Sequence, residues 1–421
     1  MKFYELSRQE RLASLREGGQ LTAESYTYLL EKPALNESIL NAMVENSIGQ
    51  FNLPFGIADH FLIDGQVYFV PMVTEEPSVI AAASNGAKRV ASSGGFTTVA
   101  SEHLLKAQVI IHGVTNHDEL TKRLTNAEAA IKRVAISARP SLVRRGGGVR
   151  QIEYNQLPEG YEELALWIDP VDAFGANMAN TIAEAVAKYL QVAVLQDDER
   201  ILTAILSNTG EKMTVTIECA VNWSQLATDQ LSGEEVATRI AELNHFSTLN
   251  PDRAVTENKG ILNGVFAVAL ATGNDLRAIS ASVSHYLQTT STPVLSQWQL
   301  DHEQQLLRGS LTLPLPIGSV GGAINSLPAT QISLELLHNP SAKDLMSIIA
   351  SVGLTNNLAA LRALVTNGIQ AGHMHLQTAN LAIQAGATGD EIEVLHEKLN
   401  QVSQADLTLA KKLLQQLRNE G

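Results

Sequence analysis

Apolar positions spaced by three and four predict amphipathic helices over residues 7–15 and 34–44. Polar turns at Gly18-Gly19 and Lys32-Pro33 separate them. Glu45-Asn46-Ser47-Ile48-Gly49-Gln50-Phe51-Asn52-Leu53-Pro54-Phe55-Gly56 then reads as a loop. A β-rich run over 66–73 is stopped by Pro71, and a small-residue helix over 74–84 carries Pro77 in its first turn. From 107 to 206, β-rich runs at 108–114, 133–138, 163–169 and 200–207 surround one long helix at 177–190. That mixture is α+β and reads as a smaller domain inserted in a larger one. Alternation resumes over 212–219, and helices are expected at 232–244, 341–350 and 355–366. A terminal pair fills 389–419 beyond a hinge at Gly386-Ala387-Thr388-Gly389, with N-cap spacing from Thr388 to Glu391 and from Ser403 to Asp406.

The least polar stretch, 264–271, carries no charge and lies between Lys259 and Asp275. Its length and the flanking Gly264 and Gly273 predict a short buried helix. Charges at the mouths of such an element must be paired or useful, because an isolated buried ion neutralises. The two are 275 − 259 = 16 positions apart. An unbroken helix would separate them by roughly 24 Å. They share a site only if the chain bends at the glycines or one comes from a second subunit. Otherwise Lys259 is a solvated lysine and Asp275 an ordinary loop aspartate.

Composition narrows the classes. A net charge of −14 argues against nucleic acid as partner. Cys219, the single cysteine, excludes an intrachain disulfide framework or a cysteine zinc cluster and suits a reducing cytosol. No apolar stretch approaches bilayer-crossing length and the N-terminus is no signal peptide, so a soluble cytoplasmic protein is expected. His373 and His375, two apart, do not make a metal site. Glu75 and Glu76 favour a helix N-terminus through its dipole. Alternatively, close packing at Ala81, Ala82 and Ala83 buries a neighbouring carboxyl and raises its pKa toward general-acid use. Arg139, Arg144 and Arg145 stand beside Gly146-Gly147-Gly148, and Asp172-Ala173-Phe174-Gly175-Ala176-Asn177 opens a helix with small residues. Neither is a G-x-G-x-x-G fingerprint, so a Rossmann domain is not expected, but together they favour a phosphate-bearing ligand.

The motifs Glu45-Asn46-Ser47-Ile48-Gly49, Glu75-Glu76-Pro77-Ser78, Asp172-Ala173-Phe174-Gly175-Ala176-Asn177, Asn258-Lys259-Gly260, Thr272-Gly273-Asn274-Asp275, Gly318-Ser319-Val320-Gly321-Gly322-Ala323 and Gly372-His373-Met374 occur in that order. The set resembles the hydroxymethylglutaryl-CoA reductase family in its soluble bacterial (class II) form. The resemblance implies a large, mostly helical substrate domain (1–106 and 213–372). Inserted in it is a small ferredoxin-like, non-Rossmann dinucleotide-binding domain (107–212), and a C-terminal helical flap follows (373–421). It further implies reduction of the CoA thioester to mevalonate and CoA by two NAD(P)H, without a metal, in a cytoplasmic homodimer whose active site lies between subunits. Lys259 would stabilise the oxyanion, Glu76 supply a proton, Asp275 hold Lys259, and His373 protonate the departing thiolate. Ser78, Arg253 and Asn263 would bind the hydroxymethylglutaryl end; Asp172, Gly175, Asn177 and Asn208 would bind the dinucleotide. NAD-preferring relatives carry an acidic residue where this chain has Arg139, so Arg139 with Arg144 and Arg145 implies NADPH, with NADH possible. Where some relatives place an arginine for the CoA phosphates, this chain has Tyr4. The alternatives are the same enzyme run oxidatively on mevalonate, or a non-redox acyl-CoA hydrolase or transferase.

Overall fold

The computed structural model describes residues 3–31, 34–366, 368, 378–402 and 405–420. Helices α1 (Arg8–Glu17), α2 (Ala23–Glu31) and α3 (Glu37–Met43) open the chain. Ser7 and Glu10 close a capping box on α1, which buries Leu12 and Leu15 against Leu336 and Ile332. Strands β1 (Phe55–Ile63) and β2 (Gln66–Val73) follow, then α4 (Val79–Ala91). Pro71 does not stop β2. That strand pairs only with β1 at the sheet edge, where a missing N–H breaks no ladder. Pro77 lies outside α4, because Ser78 turns the chain with φ 74° before the helix begins.

Strand β3 (Phe96–His112) belongs to two sheets. Its first half pairs with β7 (Lys212–Asn222), and its second half, from Leu105, pairs with β5 (Tyr161–Asp169). Between β3 and β7 the chain runs α5 (His117–Ala138), α6 (Pro140–Arg144), β4 (Gly148–Gln156), β5, α7 (Ala176–Ala193) and β6 (Arg200–Leu206). The second sheet is antiparallel in the order β4-β5-β3-β6. The strand expected over 133–138 is helix instead. Leu120, Leu124, Ile131 and Ala135 are buried at spacings of four, seven and four, one face of α5, and that face overrides a short local alternation. They pack with Ile182, Val186 and Leu190 of α7 on Val109, Ile111, Leu164 and Leu166 of the sheet.

After β7 come α8 (Gly233–Leu249), α9 (Pro251–Ala271), α10 (Leu276–Thr289), β8 (Ser296–Asp301), β9 (Leu306–Pro314), α11 (Pro328–Leu336) and α12 (Ala342–Val365). The apolar run 264–271 is not a short helix but the second half of the 21-residue α9. Gly264 does not break it. A Cβ there would lie 2.5 Å from the Asn356 amide, so the glycine lets α9 press against α12. Gly353 does the same from the other side, where a Cβ would meet Val265 and Ile261 at 3.0 and 3.1 Å. That contact explains why the two helices expected over 341–366 are one. By length and composition α12 is apolar enough to cross a bilayer, contrary to expectation, yet it is the central helix of the larger core, buried with Val265, Ala83 and Leu311. Helices Glu391–Asn400 and Leu407–Glu420 form a separate small core through Leu395, Leu399, Ala410 and Leu414.

Candidate active site

The basic glycine loop and the small-residue helix start, far apart in sequence, are neighbours. Gly148 pairs with Asp169, and a Cβ on buried Gly147 would sit 2.6 Å from the Asp169 carbonyl. The chain then passes through Asp172 to Gly175, whose φ of 88° sets the first turn of α7. Arg139 closes the ring: its Nη2 donates to Thr181 Oγ1 at 2.7 Å, and Thr181 Oγ1 donates to the Asn177 carbonyl. The Nε of Arg139 is buried without a hydrogen-bond partner among the described residues. Arg144 and Arg145 are exposed and form no ion pair among the described residues. Charge left uncompensated at a glycine turn fits an anionic group.

Two further motifs meet this segment. A Cβ on Gly318 would collide with Phe174 N at 2.3 Å, so the glycine permits the 317–320 loop to lie on 172–174. There Ser319 N and Val320 N donate to the Asp172 carbonyl at 2.8 and 3.2 Å, and Ala342 N donates to Asp172 Oδ1 at 2.9 Å. Gly318 N donates to Asn274 Oδ1 at 2.9 Å, which draws in the turn that carries Asp275. Asp275 caps α10, accepting from Arg277 N and Ala278 N, and pairs with the Arg277 guanidinium at 2.9 Å. Partial burial pushes its carboxyl up, but these bonds outweigh burial and hold it below the ordinary aspartate value. Asn208 packs against α10, its carbonyl accepting from Ser282 Oγ at 2.8 Å.

Lys259 is elsewhere. It is exposed on α9 and forms no ion pair among the described residues. The helix runs unbroken from it to Ala271, about 18 Å at 1.5 Å per residue, so one chain does not bring Lys259 to Asp275. The residues before it anchor the helix. Glu257 Oε1 accepts from Asn244, Ser296 and Asn357 at 2.7, 3.1 and 3.1 Å, and Asn258 bonds Pro293 O and Leu295 N. With that face tied down, Lys259 and Asn263, one turn apart, share the other. Arg253, six residues before Lys259, has a buried Nε without a hydrogen-bond partner among the described residues.

Glu75 and Glu76 are exposed on the turn before α4, so the packing of Ala83 does not bury them as the sequence suggested. Ser78 occupies the left-handed position at that turn. His373 lies outside the described residues, with Gly372 and Met374. Sequence reasoning missed Thr181, which only the fold places against Arg139, and His103. The latter was legible in principle, since residues 103, 105, 107, 109 and 111 form the inward set of β3. Cys219 is inert packing, its thiol pushed by burial up to about 12.

The family model described as hydroxymethylglutaryl-coenzyme A reductase matches residues 7–378. A 3-hydroxy-3-methylglutaryl-coenzyme A reductase of Archaeoglobus fulgidus is 37% identical over 420 residues, 99% of this chain and 94% of the relative. Among solved structures, a 3-hydroxy-3-methylglutaryl-coenzyme A reductase from Streptococcus pneumoniae is 38% identical with a TM-score of 0.82, covering 99% of each chain. A class II reductase from the same organism, bound to NADPH in open conformations, is 37% identical with a TM-score of 0.81, covering 86% of this chain and 99% of its own.

Proposed function

This chain belongs to the hydroxymethylglutaryl-coenzyme A reductase family, and we propose how its residues divide the work. It is an NAD(P)H-dependent oxidoreductase of the class II form that reduces hydroxymethylglutaryl-CoA to mevalonate and CoA. We assign 107–212 as a ferredoxin-like dinucleotide-binding domain, supported by its own core and by the order of strands and helices, β-α-β-β-α-β once the short α6 is set aside. Residues 1–106 and 213–372 form the substrate domain, and 373–421 the flap, which has a core of its own.

Each bound NADPH would supply one hydride, so two molecules would bind in turn during one reaction. Arg139, Arg144 and Arg145 hold the cofactor's 2′-phosphate, and the segment from Asp172 through Gly175 to Asn177, with Asn208, holds the rest. Ser78, Arg253 and Asn263 would bind the hydroxymethylglutaryl end, a reading supported at Arg253 by a buried Nε that has no hydrogen-bond partner among the described residues. Lys259 stabilises the oxyanion on the thioester carbonyl and later on the aldehyde. Glu76 gives the proton to the final alkoxide, and His373 protonates the CoA thiolate as it leaves. An ammonium is worth most where water is excluded, yet Lys259 is exposed on one chain. We therefore place the site between two subunits of a cytoplasmic homodimer, with Asp275 reaching Lys259 across that boundary. Exposed Phe246, Leu249 and Val255 at the α8–α9 junction supply an apolar surface for the partner, Val255 being 70% accessible.

The observation that carries the cofactor reading is the assembly of Arg139, the triple glycine and the start of α7 into one edge. A charge-assisted hydrogen bond to phosphate contributes about 1.5–3 kcal/mol, so NADPH should be favoured over NADH by about ten- to a hundredfold in kcat/KM. Steady-state assays with each cofactor test it. Arg139→Asp should shrink or invert the ratio through cofactor KM, leaving the rate at saturating NADH nearly unchanged. A parental enzyme using NADH as efficiently as NADPH would overturn the assignment.

A further inference from the structure

His103 sits on β3 where the strand passes from one sheet to the other. It pairs with Met213 of β7, and two residues later Leu105 pairs with Ile168 of β5. Only 4% of it is accessible. Its Nε2 lies 3.0 Å from the Ile317 carbonyl. An imidazole that bonds a carbonyl through Nε2 must carry its proton there. The Val171 backbone faces its other side, where Nδ1 has no hydrogen bond of ordinary geometry. Among the described residues, Asp169 and Lys343 are charged groups whose electrostatic influence reaches the ring.

The loop that His103 grips is the one on which the cofactor segment and the Asp275 turn converge. Ile317 is held by His103, Gly318 by Asn274, and Ser319 with Val320 by Asp172. A buried carbonyl without a donor is costly, and an apolar side chain at position 103 would leave Ile317 O in that state. The backbone would then shift to find a donor, moving with it both Asn274 and Asp172.

We propose that His103 is a positioning residue for hydride transfer: by fixing the 317–320 loop, it sets the placement of the cofactor segment 172–177 relative to the turn that carries Asp275. This rests on the roles assigned above to Asp172, Asn177 and Asp275. His103 touches neither substrate nor cofactor in that scheme and acts through the loop backbone.

His103→Gln keeps an N–H donor at comparable reach, whereas His103→Met fills similar space with none. Each purified dimer is assayed for NADPH oxidation with hydroxymethylglutaryl-CoA, for NADPH affinity by cofactor fluorescence, and for thermal midpoint. His103→Met should lose about tenfold or more in kcat at saturating NADPH, with the KM for the CoA ester within about twofold. His103→Gln should keep kcat within about threefold of the parent. Equal kcat in His103→Met and the parent overturns the proposal. So does an equal loss in both variants, or a lowered midpoint with unchanged kcat. If His103→Met does not fold, His103→Asn replaces it, since its shorter amide does not reach Ile317 O; equal kcat in the Asn and Gln variants then overturns the proposal. A parent that fails to oxidise NADPH with the ester would instead sink the reductase reading.

Discussion

Lys259 is the residue whose environment matters most, because an exposed ammonium in water is a weak catalyst and a covered one is a strong one. Losing a single oxyanion donor typically costs about 10²–10³ in rate. Lys259→Met should therefore lose that much on both the CoA thioester and free mevaldehyde, since in the proposed scheme one donor serves both steps. His373→Gln should impair the thioester reaction and spare the aldehyde, which has no thiolate to protonate; equal losses on both substrates would contradict the role. His103 makes a prediction about stability. Burial is the main cause lowering its pKa from the ordinary 6.5, Lys343 adding to it while the Ile317 bond and Asp169 oppose. The neutral ring's contribution is fully present above pH 6.5 and is lost as pH falls from there toward the lowered folded value. Urea midpoints at neutral pH and one to two units lower should show the parent losing stability relative to His103→Gln; a constant difference would contradict a buried neutral ring. At this scale the ordered motifs were readable because each is short and local. The Arg139–Thr181 bond was not, since those partners meet only after α5 and α7 pack.

Among the elements, α9 and α12 show how two glycines decide a packing that sequence pattern misreads. In an exposed helix interior, Gly→Ala gains about 1 kcal/mol of propensity. Overpacking a tight core costs about 1–3 kcal/mol. At Gly264 the second should win, because the Asn356 amide in the way is itself bonded to the Val352 carbonyl. A Cβ at Gly260 would meet nothing within 4 Å among the described residues beyond its own helix, so the first should win. Urea unfolding should find Gly264→Ala less stable than the parent and Gly260→Ala more stable; a stable Gly264→Ala would contradict the close helix contact. Both glycines look alike in sequence. The helices starting near Ser7 and Ser232 were legible from apolar spacing, and the structure adds the caps that those two serines provide. The helix at 133–138 was not legible, because its evidence lies on a face that begins at Leu120.

For the whole molecule, the α+β class followed from the alternation of strands and helices, and the two cores agree with it. What one chain's sequence could only argue by distance is the completion of the site. The unbroken α9 keeps Lys259 and Asp275 apart, while the 172–177 segment and Asp275 are held together by the 317–320 loop. The most direct test of a shared reductive site mixes two inactive variants, Lys259→Met and Asn177→Ala, under conditions that exchange subunits, and measures NADPH oxidised and CoA released from hydroxymethylglutaryl-CoA. With sites built across subunits, half the dimers formed are mixed, and each mixed dimer carries one intact site of its two. Activity should return to about a quarter of the parental level, with two NADPH consumed per CoA. No activity in a mixture shown to contain heterodimers, or CoA released without NADPH oxidation, would contradict the account.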